Sequence, residues 1–110
     1  DALCQAACAA AVLDGEYYER AAEKVKSERA RLRGELLKLG FFVPESAANF
    51  LFVSPPGGDG KRLYEELRAR NILVRYFNTE RLKAFCRISV GDKNATNRLL
   101  AAAREIYRAE

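Results

Sequence analysis

The sequence predicts an α+β fold: two N-terminal helices, then the order β-α-β-β-α, with the helices packed on one face of a small, mainly antiparallel sheet. Two patterns predict it. Apolar residues recur at helical spacing through residues 16–39, and short runs rich in aromatic and β-branched residues occupy 49–53, 72–77 and 84–90. Because a chain of 110 residues with 49% apolar residues suits one compact unit, we expect residues 1–110 to form a single domain.

The first forty residues, 1–40, are predicted to be a helical lead-in. Residues 2–13 are small or apolar on nearly every helical face, and Asp14-Gly15 ends that helix. Residues 16–39 form the second helix, and its apolar stripe consists of Tyr18, Val25, Leu32, Leu36 and Leu39. Gly40 then closes this helix in a left-handed conformation.

A strand, a loop and a third helix are predicted next. After a short extended segment at 41–44, residues 49–53 have high β-propensity. The run 54–60 is rich in proline and glycine and lacks the spacing of a phosphate-binding P-loop, which favours a plain turn. Asp59 is expected to cap the helix that follows, and Asn71 to end it in the left-handed region. The apolar face of this helix consists of Leu63, Tyr64 and Leu67.

Residues 72–77 and 84–90 are predicted as the second and third strands, joined by a polar turn at 78–83. Successive side chains of a strand point to opposite faces. The second strand therefore places Leu73, Arg75 and Phe77 on one face and Val74 and Tyr76 on the other. The third strand places Phe85, Arg87 and Ser89 on one face and Cys86, Ile88 and Val90 on the other.

The chain ends in a helix that Asp92 is expected to cap. Its predicted core stripe consists of Leu99, Leu100, Ala103, Ile106 and Tyr107. With the helices on one face of the sheet, the other face is left for a partner or a ligand.

Composition argues against several classes of protein. The net charge of +4 is mild for a nucleic-acid binder, which usually has a concentrated basic patch. Cys4, Cys8 and Cys86 are an odd number without Cys-x-x-Cys spacing, and the absence of histidine leaves no zinc ligand set. No apolar run reaches the roughly 20 residues that span a membrane. We therefore expect a cytoplasmic protein with reduced thiols, no metal, no membrane association and no nucleic-acid partner.

Two arginines on neighbouring strands, Arg75 and Arg87, are the candidate site. Each lies in an apolar run that should be largely buried, and a buried cation is costly unless an anion pairs with it. The planar guanidinium group suits a carboxylate or a phosphate, so the partner could be an acidic ligand. Equally, either arginine could form a structural ion pair with Glu45, Glu66 or Glu80. The pattern alone leaves both interpretations open.

Two functions other than catalysis fit the element order. An RNA-binding domain of the RRM type also runs β-α-β-β-α before a final strand, and its third strand carries stacking aromatics. In residues 83–90 Arg87 replaces the second of those rings. A small amino-acid-sensing regulatory domain has a compatible topology. Both alternatives need a closing strand that the sequence does not contain after the last helix.

Several segments together resemble the C-terminal small domain of histidinol-phosphate aminotransferases. They are residues 48–53 (ANFLFV), Leu63-Tyr64 with Leu67, residues 71–75 (NILVR) and residues 86–91 (CRISVG). Residues 2–7 (ALCQAA), residues 40–44 (GFFVP) and the last helix, with Asn97, Leu99, Leu100 and residues 104–106 (REI), are also similar. Asn71 replaces a common glycine of the family pattern and Asp92 a common threonine, and both keep the local backbone role. The resemblance covers nearly the whole chain.

The resemblance implies a class I/II, fold-type I aminotransferase that uses pyridoxal phosphate, attached to a lysine of a large domain. None of the six lysines, at 24, 26, 38, 61, 83 and 93, lies in the Ser-Lys-x-x-x-x-Ala-Gly context of the family. With no methionine in the chain either, we expect a piece of a longer protein. The catalytic lysine and the cofactor site would lie in a missing N-terminal large domain. This chain alone would hold no catalytic or cofactor-binding residue and would be inactive.

The resemblance also implies roles for three residues in binding substrate. Arg87 corresponds to the arginine that grips the carboxylate of amino acids and 2-oxoglutarate, and Arg75 joins it on the phosphate of histidinol phosphate. Asn49 would support the strand end near the cleft. The partners implied are the large domain, a small phosphorylated or carboxylate substrate, and a second copy of the parent protein in a homodimer. The implied pathway is histidine biosynthesis.

Overall fold

The computed structural model describes residues 15–108 and contains three helices and three strands within that range. In chain order they are α1 (Gly15–Lys38), β1 (Phe50–Val53), α2 (Gly60–Ala69), β2 (Arg75–Tyr76), β3 (Cys86–Ser89) and α3 (Lys93–Tyr107). The helix predicted at 2–13, with Cys4 and Cys8, lies outside the described residues. From α1 onward the α+β class is the one that the sequence predicts.

Helix α1 occupies almost the predicted range and ends as predicted. Leu32 and Leu36 of its apolar stripe are each only 1% exposed, and Leu39 packs against the same core. Gly40 has φ +91°, and the amides of Gly40 and Phe41 donate to the carbonyls of Leu37 and Leu36. These two bonds form a Schellman motif, which satisfies carbonyl groups at the helix end and turns the chain back toward the sheet.

The three strands of the described region form one antiparallel sheet in the order β1-β3-β2. In β1 and β3, Leu51 faces Ile88 and Val53 faces Cys86. All four side chains are buried with the helices in one apolar core. Strand β2 is therefore an edge strand, with β3 as its one neighbour in this sheet.

Helix α2 has both of the predicted end signals. The Asp59 carboxylate accepts a hydrogen bond from the Arg62 amide (3.0 Å), which caps the first turn. At the other end Asn71 has φ +62°, and the amides of Asn71 and Ile72 donate to the carbonyls of Arg68 and Leu67. Asparagine tolerates this left-handed conformation better than most residues with a Cβ.

Strand β2 is much shorter than predicted. The prediction covered residues 72–77, but only Arg75 and Tyr76 pair with β3. Ile72 is still engaged in closing α2, as described above, so the chain must travel from the helix cap to the sheet before pairing begins. Strand β3 also begins later than predicted, because Ala84 is part of the turn and the Phe85 amide donates to the Leu82 carbonyl.

Helix α3 closes the core. The Asp92 carboxylate accepts a hydrogen bond from the Ala95 amide (2.8 Å), as predicted for an N-cap. The whole predicted stripe is buried: Leu99, Leu100, Ala103, Ile106 and Tyr107. Within residues 15–108, no helix has both the length and the apolar character needed to cross a membrane.

Candidate functional site on the open sheet face

The sheet has two unlike faces because side chains alternate along each strand. The helix-facing residues of β1 and β3 are fully or almost fully buried, whereas Phe50, Phe52 and Arg87 are partly exposed and Ser89 is exposed. The pairing Phe52↔Arg87 places a phenyl ring and a guanidinium group on neighbouring strands of this open face.

Arg75 and Arg87 are direct cross-strand partners in the pairing of β2 with β3. We call them the arginine pair. Side chains that face each other across two strands have Cβ atoms about 4.5–5.5 Å apart, and like charges in that position destabilise a sheet. Because the two cationic residues are cross-strand neighbours, an anion bound by both would relieve their repulsion.

The arginine pair lies beside three phenyl rings, Phe50, Phe52 and Phe77, which we call the aromatic floor. The Arg87 guanidinium carbon lies 5.1 Å from the ring centroid of Phe50 and 6.0 Å from that of Phe77. The Arg75 guanidinium carbon lies 5.2 Å from the Phe77 centroid. Phe52 joins the other two rings, with centroids 5.7 Å from Phe50 and 6.1 Å from Phe77. All three cation–ring distances fall within the range of cation–π attraction.

The prediction that both arginines are largely buried was wrong. Arg75 is exposed and Arg87 is partly exposed. The physical reason is topological: the apolar runs around them do line a core, but the arginines alternate onto the open face. In addition, Arg75 lies on the short edge strand.

The structural ion pairs that the sequence left open are not formed. Within residues 15–108, the three candidate acids pair elsewhere: Glu45 with Arg33 (4.0 Å), Glu66 with Arg70 (2.8 Å) and Glu80 with Lys83 (3.0 Å). In the same range, no carboxylate forms an ion pair with Arg75 or Arg87. The hydrogen-bond donors of the arginine pair are therefore not committed to an acid of the described region.

Asn49 comes directly before β1, next to the aromatic floor. Its backbone carbonyl accepts a hydrogen bond from the Val90 amide (2.8 Å), which extends the pairing of β1 with β3 by one step. Its side chain is exposed and makes no hydrogen bond to Arg75 or Arg87 in the described structure. The structure thus places Asn49 at the strand end, as predicted, without joining it to the arginine pair.

The lysines of the described region lack the burial that a covalent pyridoxal phosphate site uses. A lysine that forms an imine with a carbonyl compound needs a depressed pKa, which burial or a neighbouring cation provides. All six lysines of the chain lie within the described residues, and all six are exposed. Residues 15–108 contain no group of three or more Cys, His, Asp or Glu residues that could hold a metal ion.

Sequence reasoning found the arginine pair but missed the aromatic floor. The signal was available, because Phe50 and Phe52 are two residues apart on one strand and Phe77 is two residues from Arg75. What the sequence could not provide was the register that brings these two sets together around Arg87.

The family model for class I and II aminotransferases matches residues 1–103. The chain belongs to this aminotransferase family. Neither the RNA-binding alternative nor the amino-acid-sensing alternative is supported by the comparisons.

The aminotransferase chain is similar to curated relatives from bacteria. It is 42% identical over 106 residues to the histidinol-phosphate aminotransferase of Citrifermentans bemidjiense, and equally identical over the same length to that of Microcystis aeruginosa. In both cases the match covers 96% of this chain and 30% of the relative. The chain thus spans about a third of the length of the curated relatives it matches.

Solved structures of aminotransferases share the fold. The histidinol-phosphate aminotransferase of Clostridium acetobutylicum matches with a TM-score of 0.78 at 29% identity, covering 88% of this chain and 30% of that one. The histidinol-phosphate aminotransferase of Sinorhizobium meliloti, solved with pyridoxal-5'-phosphate, has the same TM-score over 91% of this chain and 28% of that one. At 24% identity the second match supports the fold alone.

Proposed function

We propose that this chain is the small, substrate-clamping domain of a pyridoxal-phosphate-dependent aminotransferase that transfers an amino group between histidinol phosphate and 2-oxoglutarate in histidine biosynthesis. The observation that carries the proposal is the cross-strand pairing of Arg75 with Arg87 on an open face, without a carboxylate partner in the described region. Curated relatives of that name at 42% identity support the substrate assignment.

The chemistry of the reaction explains why two arginines are useful. An aminotransferase must hold two successive substrates, and both of these substrates have an anionic end. A guanidinium group donates two parallel hydrogen bonds to a carboxylate or to a phosphate, so one site can serve both anions. Holding the anion orients the amino or keto carbon for reaction, which is a proximity effect.

The resemblance to the family divides the work between the two arginines. Arg87 would bind the carboxylate of 2-oxoglutarate and contribute to the phosphate of histidinol phosphate, whereas Arg75 would act on the phosphate. A dianionic phosphate can use both guanidinium groups of the arginine pair at once. A carboxylate, with two oxygens, can be held by one group in bidentate geometry.

The cofactor would be held by a part of the protein outside these 110 residues. Pyridoxal phosphate supplies the electron sink of transamination when it is bound, and its covalent site would not be one of the exposed lysines of this chain. The chain would form one domain over residues 1–110, with 1–40 as a helical lead-in, and a homodimer of the parent protein would be the working form. The chain by itself would be inactive.

The first experiment uses the full-length parent protein loaded with pyridoxal phosphate. The absorbance of the bound cofactor is followed while histidinol phosphate, threonine phosphate and phenylalanine are added in separate trials. Conversion to the pyridoxamine form with histidinol phosphate alone supports the proposal. A protein that binds no pyridoxal phosphate, or that converts only with another donor, contradicts it.

Single substitutions then test the division of work. Removing one partner of a desolvated charge pair costs about 2–5 kcal/mol, so Arg87→Ala should lower kcat/KM for both substrates by roughly 30-fold or more. Arg75→Ala should lower kcat/KM for histidinol phosphate much more than for 2-oxoglutarate. Arg98→Ala, which removes an exposed arginine from α3, is the matched control and should change neither. An Arg87→Ala enzyme with unchanged kcat/KM would show that the arginine pair is not the anion site.

A further inference from the structure

The guanidinium groups of the arginine pair need contacts that hold them in place before an anion binds. Arg75 and Arg87 are cross-strand neighbours in the pairing of β2 with β3, and like charges in that position destabilise a sheet. No carboxylate of residues 15–108 holds either group in place. The contacts that the structure does show for both are with phenyl rings of the aromatic floor.

We infer that Phe77 and Phe50 are positioning residues that hold the arginine pair ready for an anion, with Phe77 shared by both arginines and Phe50 serving Arg87 alone. This inference rests on the proposed function and deepens it. The phenyl rings take the place of the acid that would normally pair with an arginine. They attract the cation through the face of the ring and not by accepting hydrogen bonds.

The direction of contact is what makes a ring suitable. The electron-rich face of a phenyl ring attracts a cation electrostatically. It does not take up the hydrogen bonds that the guanidinium N–H groups donate in their own plane. A carboxylate partner would occupy those same donors and would have to be displaced by the substrate. A ring therefore orders the long arginine side chain while leaving its donors free for a carboxylate or a phosphate. Ordering the side chain before the substrate arrives also reduces the entropy cost of binding.

The contacts of the two rings differ, and this difference predicts a pattern. Phe50 contacts Arg87 (5.1 Å), and Phe77 contacts both Arg75 (5.2 Å) and Arg87 (6.0 Å). Loss of the Phe50 ring should therefore affect both substrates to a similar degree through Arg87. Loss of the Phe77 ring should affect histidinol phosphate more than 2-oxoglutarate, because it also releases Arg75.

The test is a double-mutant cycle in the full-length enzyme. Phe50→Leu keeps an apolar side chain and removes the ring, and it should raise KM for both substrates by about 3- to 10-fold with a smaller change in kcat. In an Arg87→Ala background, the same substitution should have no further effect on kcat/KM. A residue with a purely structural role would lower kcat/KM by the same factor with or without Arg87.

Three further variants complete the test. Phe77→Leu should raise KM for histidinol phosphate more than KM for 2-oxoglutarate. Phe77→Tyr retains the ring and should raise both KM values less than Phe77→Leu does. Phe85→Leu is the matched control, because Phe85 is a partly buried phenylalanine whose ring contacts Phe42 (centroids 6.1 Å apart). Its KM values should not change. If Phe77→Leu fails to fold, the Phe50 cycle decides by itself.

The outcomes separate the inference from the proposed function. Additive effects of Phe50→Leu and Arg87→Ala, with Arg87→Ala still strongly impaired, overturn the positioning role and leave the anion site in place. Unchanged kcat/KM in Arg87→Ala overturns both. A non-additive cycle, with Phe77→Tyr active, supports the inference.

Discussion

At the scale of single residues, Cys86 shows how burial controls chemistry in this domain. Its side chain is completely buried in β3, and its Sγ donates a hydrogen bond to the Gly60 carbonyl (3.1 Å). Burial disfavours the charged thiolate and raises the pKa of Cys86 to about 12. The thiolate is the reactive form, so Cys86 should be inert in the folded state.

A thiol-labelling experiment checks this at the residue scale. In a variant with Cys4→Ser and Cys8→Ser, the remaining thiol should react with a disulfide reagent at about pH 8 only as fast as the protein unfolds. Urea should accelerate the reaction strongly. Rapid labelling of the native protein, at the rate of a small free thiol, would contradict the burial of Cys86.

At the scale of elements, the contact between α2 and the turn before β3 is close. A Cβ atom built on Gly60 would lie 2.7 Å from the Lys83 carbonyl oxygen and 2.8 Å from the Phe85 nitrogen. Both neighbours are backbone atoms, which cannot rotate away as the end of a side chain can. By contrast, Gly34 lies within α1, and a Cβ there would meet no atom within 4 Å.

These two glycines form a matched pair for a stability measurement. Gly60→Ala should lower the free energy of unfolding by about 1–3 kcal/mol, because the start of α2 must move away from the turn. Gly34→Ala should raise it by about 0.5–1 kcal/mol, because alanine loses less backbone entropy in a helix.

Urea unfolding followed by circular dichroism measures both variants under the same conditions. Equal effects in the two variants would mean that α2 does not approach the turn as closely as described. A stabilised Gly60→Ala protein would rule out the close packing altogether.

At the scale of the whole molecule, an ion pair and a hydrogen bond connect α1 to α3 across the outside of the core. The Arg104 guanidinium donates to the Glu35 carboxylate (3.1 Å), which also accepts a hydrogen bond from Lys38 (3.1 Å). The hydrogen bond from Lys38, its charge and the Arg104 contact all lower the pKa of Glu35. A similar effect holds for Glu28, whose pKa is lowered chiefly by a hydrogen bond with Thr96 of α3.

The lowered pKa of Glu35 makes the free energy of unfolding depend on pH. The folded state binds the proton more weakly than the unfolded chain, so the contribution of Glu35 is complete above the ordinary glutamate pKa of about 4.3. It is lost as the pH falls through the lower folded-state pKa. Glu35→Gln should therefore reduce the loss of stability between about pH 7 and about pH 3.

The measurement is the urea concentration at the midpoint of unfolding, determined at about pH 7 and at about pH 3. Glu80→Gln is a suitable control, since the Glu80 side chain is 93% exposed and pairs with Lys83 of the same turn. Its acid-dependent loss should follow that of the unsubstituted protein. A Glu35→Gln protein with the same acid-dependent loss would contradict the role of the Glu35 carboxylate.

The sequence by itself determined the local structure of this domain. Asp59 and Asp92 cap helices, Gly40 and Asn71 end them, and the buried stripe of α3 is the one that helical spacing predicts. Each of these features depends on residues within one or two turns of each other, so the local pattern contains the necessary information. The two candidate arginines could be selected from the sequence by their strand context, together with the family resemblance.

Only the tertiary structure decided how the site is assembled. The register Arg75↔Arg87, the edge position of β2 and the approach of Phe50 and Phe77 to Arg87 all join residues that are distant in sequence. Periodicity assigned each arginine to one face of its own strand, and the element order left one face of the sheet open, but neither could show that the two arginines are cross-strand partners. Strand order and register depend on how the helices bury the other face of the sheet, and that is a property of the packed core as a whole.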